Sequence, residues 1–267
     1  MEFTGYLDFW FKDRPIVERV ERFAALGIHR LDVWLWRERP MQEIFAECQR
    51  FNSLINSTFD PSLGNLVDAQ DHARCFEAWS ETLEMAERFR IPHLFVFSNQ
   101  IEMREDGSEW IAPLSRDYTA GQMYANLLDG LARILEMAEK TNVTLWFEGL
   151  NTFHIHGGVF IHSHDQVAEI VRRFDHPKLR MAFDCYHQQR TAGNLIYGLE
   201  AYQGLYPTVH IGDVPTRQEP GTGEINFPNL VRKLHQLEFD GLIGMEFTPS
   251  DSEANAYQRV REMFIGG

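Results

Sequence analysis

Short runs of β-forming residues alternate with longer segments of helical periodicity from one end of this chain to the other, and that rhythm constrains its fold more than any other feature. The first run lies within residues 3–11 and leads into RPIVERVERFAALG, where Ile16, Val17, Val20, Phe23 and Ala24 recur at helical spacing before Gly27. HRLDVWLW, the helical MQEIFAECQRF and SLINSTFDP follow, and residues 68–90 then place Phe76, Trp79, Leu83 and Ala86 on one helical face. HLFVFSN precedes a helix over 118–140 that carries Leu127, Leu131, Ile134, Leu135 and Ala138. The second half keeps the pattern. VTLWFEGLN leads to a helix over 164–174, KLRMAFDCYH to NLIYGLEAYQ, TVHIGDV to FPNLVRKLHQLEF, and LIGMEFTP to a closing helix over 252–265.

Eight such units in 267 residues predict an α/β fold of the (β/α)8 TIM-barrel type, a single domain over residues 1–267. The fifth strand falls near 143–148 and the eighth near 242–247. A doubly wound open sheet is the competing architecture, and it announces itself by a glycine-rich phosphate turn after the first strand. Here the first strand runs into FKDRPIV, and no GxGxxG or Walker A pattern occurs in the chain.

Composition narrows the partners. Hydrophobic residues make up 44% and charged residues 24%, enough for a sizeable core. With 25 Lys+Arg against 39 Asp+Glu the net charge is −14, which argues against a nucleic-acid backbone, since that needs clustered cations. Cys48, Cys75 and Cys185 form neither a CxxC pair nor a disulfide framework. The opening MEFTGYLDFWFKDRP lacks a basic segment followed by an apolar run, and no stretch approaches a membrane span. A cytoplasmic protein with neither nucleic acid nor membrane as partner is expected; a homo-oligomeric state is left open.

Residues able to carry chemistry stand at the ends of the last four strands. Glu148 ends TLWFE, Asp184 ends MAFD, His210 ends TVH and Glu246 ends IGME, at intervals of 36, 26 and 36 residues, each about one β/α unit. Residues so spaced converge on the C-terminal mouth of a barrel, where barrel active sites lie. One acid at a strand end is ordinarily a helix cap or a solvated loop residue, and one His in VHIG an ordinary core residue. Four in register make a hard-to-borderline ligand set for one divalent ion: Mn²⁺, Mg²⁺, Co²⁺ or Zn²⁺. A buried carboxylate cluster also requires a compensating cation.

LWFEGLN, FDCYHQQ, HIGDVPTRQEPGTGEINF and GLIGMEFTP together resemble the xylose isomerase-like barrel superfamily, and within it the hydroxypyruvate isomerase-like family, which includes 2-oxo-tetronate isomerases. DVPTRQEPGTGEINF is the most specific stretch and FDxYHxQ at 183–189 the next; the first half has only looser echoes at Asn56 and Asn99. The resemblance implies that Glu148, Asp184, His210 and Glu246 bind the divalent metal, and that Glu148 and Glu246 are also the acid/base pair. It implies that His187 and Arg217 contact substrate. The implied activity is a metal-dependent aldose–ketose type isomerisation of a small hydroxy-carbonyl compound: hydroxypyruvate, 2-oxo-tetronate or a short sugar.

Two positions depart from that family's pattern. Hydroxypyruvate isomerases usually have Gln where this chain has His210, a residue found there in the related ketose 3-epimerases. Those epimerases carry a second Glu where this chain has His154. Ketose 3-epimerisation is therefore the alternative. Both reactions remove a proton from carbon beside a carbonyl and pass through an enediolate that a metal stabilises. Return to the same carbon from the other face gives an epimer, and return to the neighbouring carbon an isomer; the residues leave this choice open. A non-isomerase role is the reading of a different class: dehydratase, nuclease-like or partner subunit. A nuclease of this superfamily would add His ligands on early strands and a basic groove, whereas strands three and four carry Asn56 and Asn99.

Three further features have two readings each. EPGTGEINFP forms either an ordinary turn before a helix capped by Asn226, with Pro228 in its first turn, or the pocket-wall loop that holds Arg217; the second is preferred. Trp10, Trp34, Trp36 and Phe97 line a pocket wall or simply pack the barrel. His154, His156, His162 and His164, in HIHGGVFIHSH, read as a mobile polar loop in preference to a second metal site.

Overall fold

The apolar runs of the sequence pair side by side into a cylinder whose edges meet. A computed structural model of the chain describes residues 1–60, 63–103, 110–112, 118–153 and 155–266. The strands are β1 (Glu2–Tyr6), β2 (Arg30–Trp34), β3 (Leu54–Phe59) and β4 (His93–Val96), a short pair β5 (Glu102–Met103) and β6 (Trp110–Ile111), then β7 (Thr144–Phe147), β8 (Leu179–Asp184), β9 (Thr208–Ile211) and β10 (Leu242–Met245). Among the described residues, eight of these are parallel and close a barrel in the order β1-β2-β3-β4-β7-β8-β9-β10, with β10 bonded back to β1. The antiparallel pair β5–β6 stands apart from it. The helices are α1 (Arg19–Ala25), α2 (Met41–Arg50), α3 (His72–Phe89), α4 (Ala120–Ala138), α5 (His164–Phe174), α6 (Cys185–Thr191), α7 (Leu195–Ala201), α8 (Phe227–Gln236) and α9 (Glu253–Ile265). No helix among the described residues is long and apolar enough to cross a membrane.

Local signals explain where the helices begin. Thr119 and Gln122 form a capping box at α4, and Ser163 and Gln166 another at α5, so two orphan backbone donors are satisfied at each start. Asn226 caps α8, with Pro228 in its first turn as expected. Strand ends differ from the sequence reading: β1 stops at Tyr6, whereas the first expected run reached Phe11. The strand expected to run through CYH stops at Asp184, because the Asp184 carboxylate accepts the backbone N–H of His187 at 2.8 Å and starts α6. His187 therefore sits in the first turn of a helix, not on a strand.

Two apolar layers hold the barrel. Between strands and helices, Val20, Phe23, Leu127, Leu131, Ile134, Val167, Leu230 and Val260 belong to one continuous core with Trp10, which packs 5.6 Å from Phe23 and 5.2 Å from Phe247. Inside the barrel, Phe59, Phe95, Trp146 and Ala182 pack together. Beside them Asp32 is buried and accepts hydrogen bonds from Thr4, from Asn56 at 2.7 Å and from Ser57 at 2.5 Å. Successive side chains alternate faces, so residues two further along point the same way. Trp146 is followed by Glu148, Ala182 by Asp184, Thr208 by His210 and Gly244 by Glu246. The strand pattern thus carries its barrel-facing side out to the C-terminal rim.

Candidate active site

Register brings the rim residues together. Asp184 on β8 is paired with His210 on β9, and His210 with Gly244 on β10. Gly244 is glycine for a visible reason: a Cβ there would stand 2.5 Å from Cδ2 of His210. One ligand-type atom from each of Glu148, Asp184, His210 and Glu246 lies within 4.8 Å of all the others, and all four residues are buried. Nδ1 of His210 is 3.0 Å from Glu246, 4.0 Å from Glu148 and 3.4 Å from the Tyr6 hydroxyl. Among the described residues this is the one such group of His, Cys, Asp and Glu.

Three carboxylates this close, out of water, cannot all ionise without a cation. Burial, then Glu246 and Asp184, push Glu148 well above its ordinary value. Burial and Glu246 raise Asp184 to about 6. Burial would raise Glu246 as well, but the charges of Arg217 and His210 hold it below its ordinary value. Glu148 Oε1 is buried with no hydrogen-bond partner.

Arg217 reaches the cluster from the segment after β9. Its guanidinium pairs with Glu246, lies 3.5 Å from Asp184 and stacks 4.8 Å from the Tyr186 ring centroid. Its backbone is left-handed, at φ 53°, an uncommon conformation for a non-glycine residue and held here from both sides. Arg217 N–H donates to the Asp213 carbonyl at 2.8 Å, and Thr248 N–H donates to the Arg217 carbonyl at 3.0 Å. The segment is organised by Asp213, whose buried carboxylate accepts the backbone N–H groups of Val214, Gly221, Gly223 and Ile225 at 2.9–3.0 Å. Glycine is required at 223, where a Cβ would meet the Val214 carbonyl oxygen at 1.9 Å. Sequence reasoning found the loop and its arginine but missed Asp213, which resembles any acid after a strand.

A cavity opens beside the cluster. It is lined by the polar Glu148, Glu246, His187, Arg217 and His156 and by the apolar Trp34, Phe59, Phe95, Phe97, Ile101, Trp110 and Leu150. All six residues singled out by sequence therefore meet in one region, four in the cluster and His187 and Arg217 on the cavity. Of the four aromatics considered for the wall, Trp34 and Phe97 line it, whereas Trp10 is core and Trp36 stacks against Arg37. Asn56 and Asn99 do not line it: the first binds Asp32, and the second accepts from Ser98 and from Phe160 N–H.

His156 is the residue sequence misread. The His-rich stretch was expected as a polar loop, yet His156 is only 9% exposed and lines the cavity, its ring 5.4 Å from that of His187. Its N–H donates to the Trp110 carbonyl at 2.7 Å, so the short β5–β6 pair holds it in place. Burial and the nearby Arg217 lower it to about 3, leaving a neutral ring whose Nδ1 has no partner. The other described histidines of the stretch do not join it in a second cluster: His164 packs against Phe183, and His162 contacts the Phe160 carbonyl. His154 lies outside the described residues.

The chain belongs to the xylose isomerase-like TIM barrel family, whose match covers residues 20–265. It is similar to the 2-oxo-tetronate isomerase of Pectobacterium atrosepticum, 24% identical over 258 residues, 93% of this chain and 92% of that one. It is also similar to the hydroxypyruvate isomerase of Escherichia coli, 29% identical over 132 residues, 49% of this chain and about half (51%) of that protein's length. Among solved structures, an AP endonuclease, family 2, from Brucella melitensis superposes with a TM-score of 0.83 at 20% identity over 96% of both chains. D-psicose 3-epimerase from Clostridium cellulolyticum, solved with D-tagatose, does so at 0.76 and 15% identity over 100% of this chain and 92% of that one. These two likenesses speak to the fold.

Proposed function

We propose that this protein is a divalent-metal-dependent isomerase of a small hydroxy-carbonyl compound, of hydroxypyruvate or 2-oxo-tetronate type or a short sugar. One observation carries the reading: all four cluster residues offer ligand atoms within 4.8 Å of one another, and Glu148 and Glu246 also line the cavity. The two glutamates can thus face a substrate while belonging to the ion site. The donor set fits one divalent cation, since three carboxylates and an imidazole are hard-to-borderline ligands. The orphaned Glu148 oxygen and the raised Glu148 and Asp184 mark a cluster whose negative charge Arg217 alone does not offset.

Glu148, Asp184, His210 and Glu246 would hold the ion. When bound, it would polarise a substrate carbonyl and offset the negative charge that builds as the adjacent carbon loses its proton. Glu148 and Glu246, which both line the cavity, would remove and return that proton. Arg217 offers a fixed planar donor to a carboxylate or to ketose oxygens. The aromatic wall limits water around the reacting carbon.

The test joins metal content to turnover. Protein purified without chelator should contain near-stoichiometric divalent metal and convert hydroxypyruvate, 2-oxo-tetronates or short ketoses. Chelation should abolish that conversion and metal should restore it. Full metal retention by Asp184→Ala, or conversion indifferent to chelation, would overturn the reading. Product identity separates isomer from epimer.

A further inference from the structure

Asn151 is wholly buried, three residues beyond Glu148 on the segment leaving β7. Its side chain makes two contacts of 2.6 Å: Nδ2 donates to the Phe153 carbonyl, and Oδ1 lies against Nδ1 of His187. Together they determine where the imidazole proton sits. With the amide reversed, two carbonyl oxygens would confront each other across the Phe153 contact, so Nδ2 faces Phe153 and Oδ1 faces the ring. An amide oxygen so close to a ring nitrogen requires that nitrogen to carry hydrogen, because two lone pairs would otherwise repel. The Asn151 backbone N–H also points at Nδ1 with donor geometry, at 3.3 Å. That contact favours a bare nitrogen, but it is longer and does not relieve the repulsion from Oδ1. The short contact decides. His187 itself is 2% exposed, lines the cavity, and is anchored by its backbone N–H on Asp184 Oδ1 at 2.8 Å.

We propose that Asn151 is a positioning residue that holds His187 as its Nδ1–H tautomer, so that Nε2 meets the cavity as a hydrogen-bond acceptor and selects a ligand hydroxyl. A carbonyl or carboxylate oxygen, which only accepts, finds no donor there and belongs instead with Arg217, which only donates. The cavity is thereby polarised: an accepting imidazole and a donating guanidinium match the two unlike oxygens of a hydroxy-carbonyl compound. The choice of ligand rests on the function proposed above, whereas the tautomer assignment does not.

The test is a long-range ¹H–¹⁵N correlation spectrum of protein labelled at histidine and supplied with Mg²⁺, with the His187 signals identified by their loss in His187→Gln. The expected wild-type result is a protonated-type Nδ1 and a bare-type Nε2. In Asn151→Ala the Nε2–H form should become populated. A wild-type ring protonated at Nε2 overturns the proposal whatever the protein catalyses, and this measurement needs no variant at position 151 to fold. An Asn151→Ala ring that keeps the wild-type tautomer also overturns it. Added hydroxypyruvate should move the Nε2 resonance, and pyruvate, which lacks the hydroxyl, should not; an equal response to both removes the hydroxyl selection. Failure to convert hydroxypyruvate with Nδ1–H confirmed would count against the proposed substrate alone.

Discussion

Glu246 meets Arg217 on one side and His210 on the other, and it borders the cavity as well. Exchanging it for Gln keeps the shape and removes the base, so Glu246→Gln should lower kcat by about 10²–10⁴-fold, the usual scale for a positioned acid or base. Steady-state assays on the accepted substrate check this, with circular dichroism to show the fold intact. Arg217→Lys keeps a charge but loses the planar fork between Glu246 and Asp184, and kcat/KM should fall by roughly 10-fold or more. Asp184 supplies a pH test with a definite sign. Its folded value of about 6 lies above the ordinary 3.8, so in metal-free protein it favours folding at low pH, and that advantage is lost as pH rises through about 6. A divalent ion removes the penalty for ionising the cluster. The rise in Tm on adding Mg²⁺ or Mn²⁺ should therefore be larger at pH 7.5 than at pH 5, and thermal unfolding at both values measures it.

At the scale of elements, the segment from Asp213 to Phe227 depends on one carboxylate that accepts four backbone donors. Asp213→Ala strands two buried and two part-buried donors, and the cost should reach about 3–5 kcal/mol in urea unfolding, since each buried orphaned donor costs about 1–3 kcal/mol and the losses are not additive. Arg217, carried on the segment that the carboxylate organises, should lose its place, and activity should fall further than stability alone explains. The same elements show what a sequence can reveal. The barrel and its four rim residues were legible because strand ends are marked by apolar runs and because about one β/α unit separates each rim residue from the next. His187 was recognisable, but its helix was not: the apolar run continues through Cys185 and Tyr186, and only the Asp184 cap breaks it. His156 was hidden for another reason. Its burial depends on pairing with β5–β6, two strands of two residues each, too short to leave a periodicity. Asp213 and Asn151 act through backbone geometry and amide orientation, which residue type alone does not encode.

The whole molecule adds a constraint that no single element carries. Folding buries imidazoles that stay neutral, His93 on a barrel strand, His164 on α5 and His156 beside β5–β6: burial lowers His93 to about 4 and His156 and His164 to about 3, below the ordinary 6.5. An unfolded chain binds protons that these rings refuse, so stability is complete above about pH 6.5 and is lost as pH falls toward 4. In the metal-loaded protein, where the cluster no longer favours acid, the urea midpoint should decline steadily over that interval; a flat profile would contradict the neutral, buried placement of these rings. Closure also makes the proposed chemistry possible, because the register from β8 through β10 sets Asp184, His210 and Gly244 in line and leaves room for the imidazole. The central claim is that two glutamates of one metal cluster move a proton beside a substrate carbonyl. The most direct measurement follows ¹H NMR of hydroxypyruvate in D₂O with the Mg²⁺-loaded protein, set against the chelated protein and Glu246→Gln. The predicted result is metal-dependent deuterium incorporation at the carbon next to the carbonyl during conversion, abolished by chelation and reduced about 10²-fold or more in the variant. Conversion and deuterium incorporation that proceed equally in all three samples would contradict it.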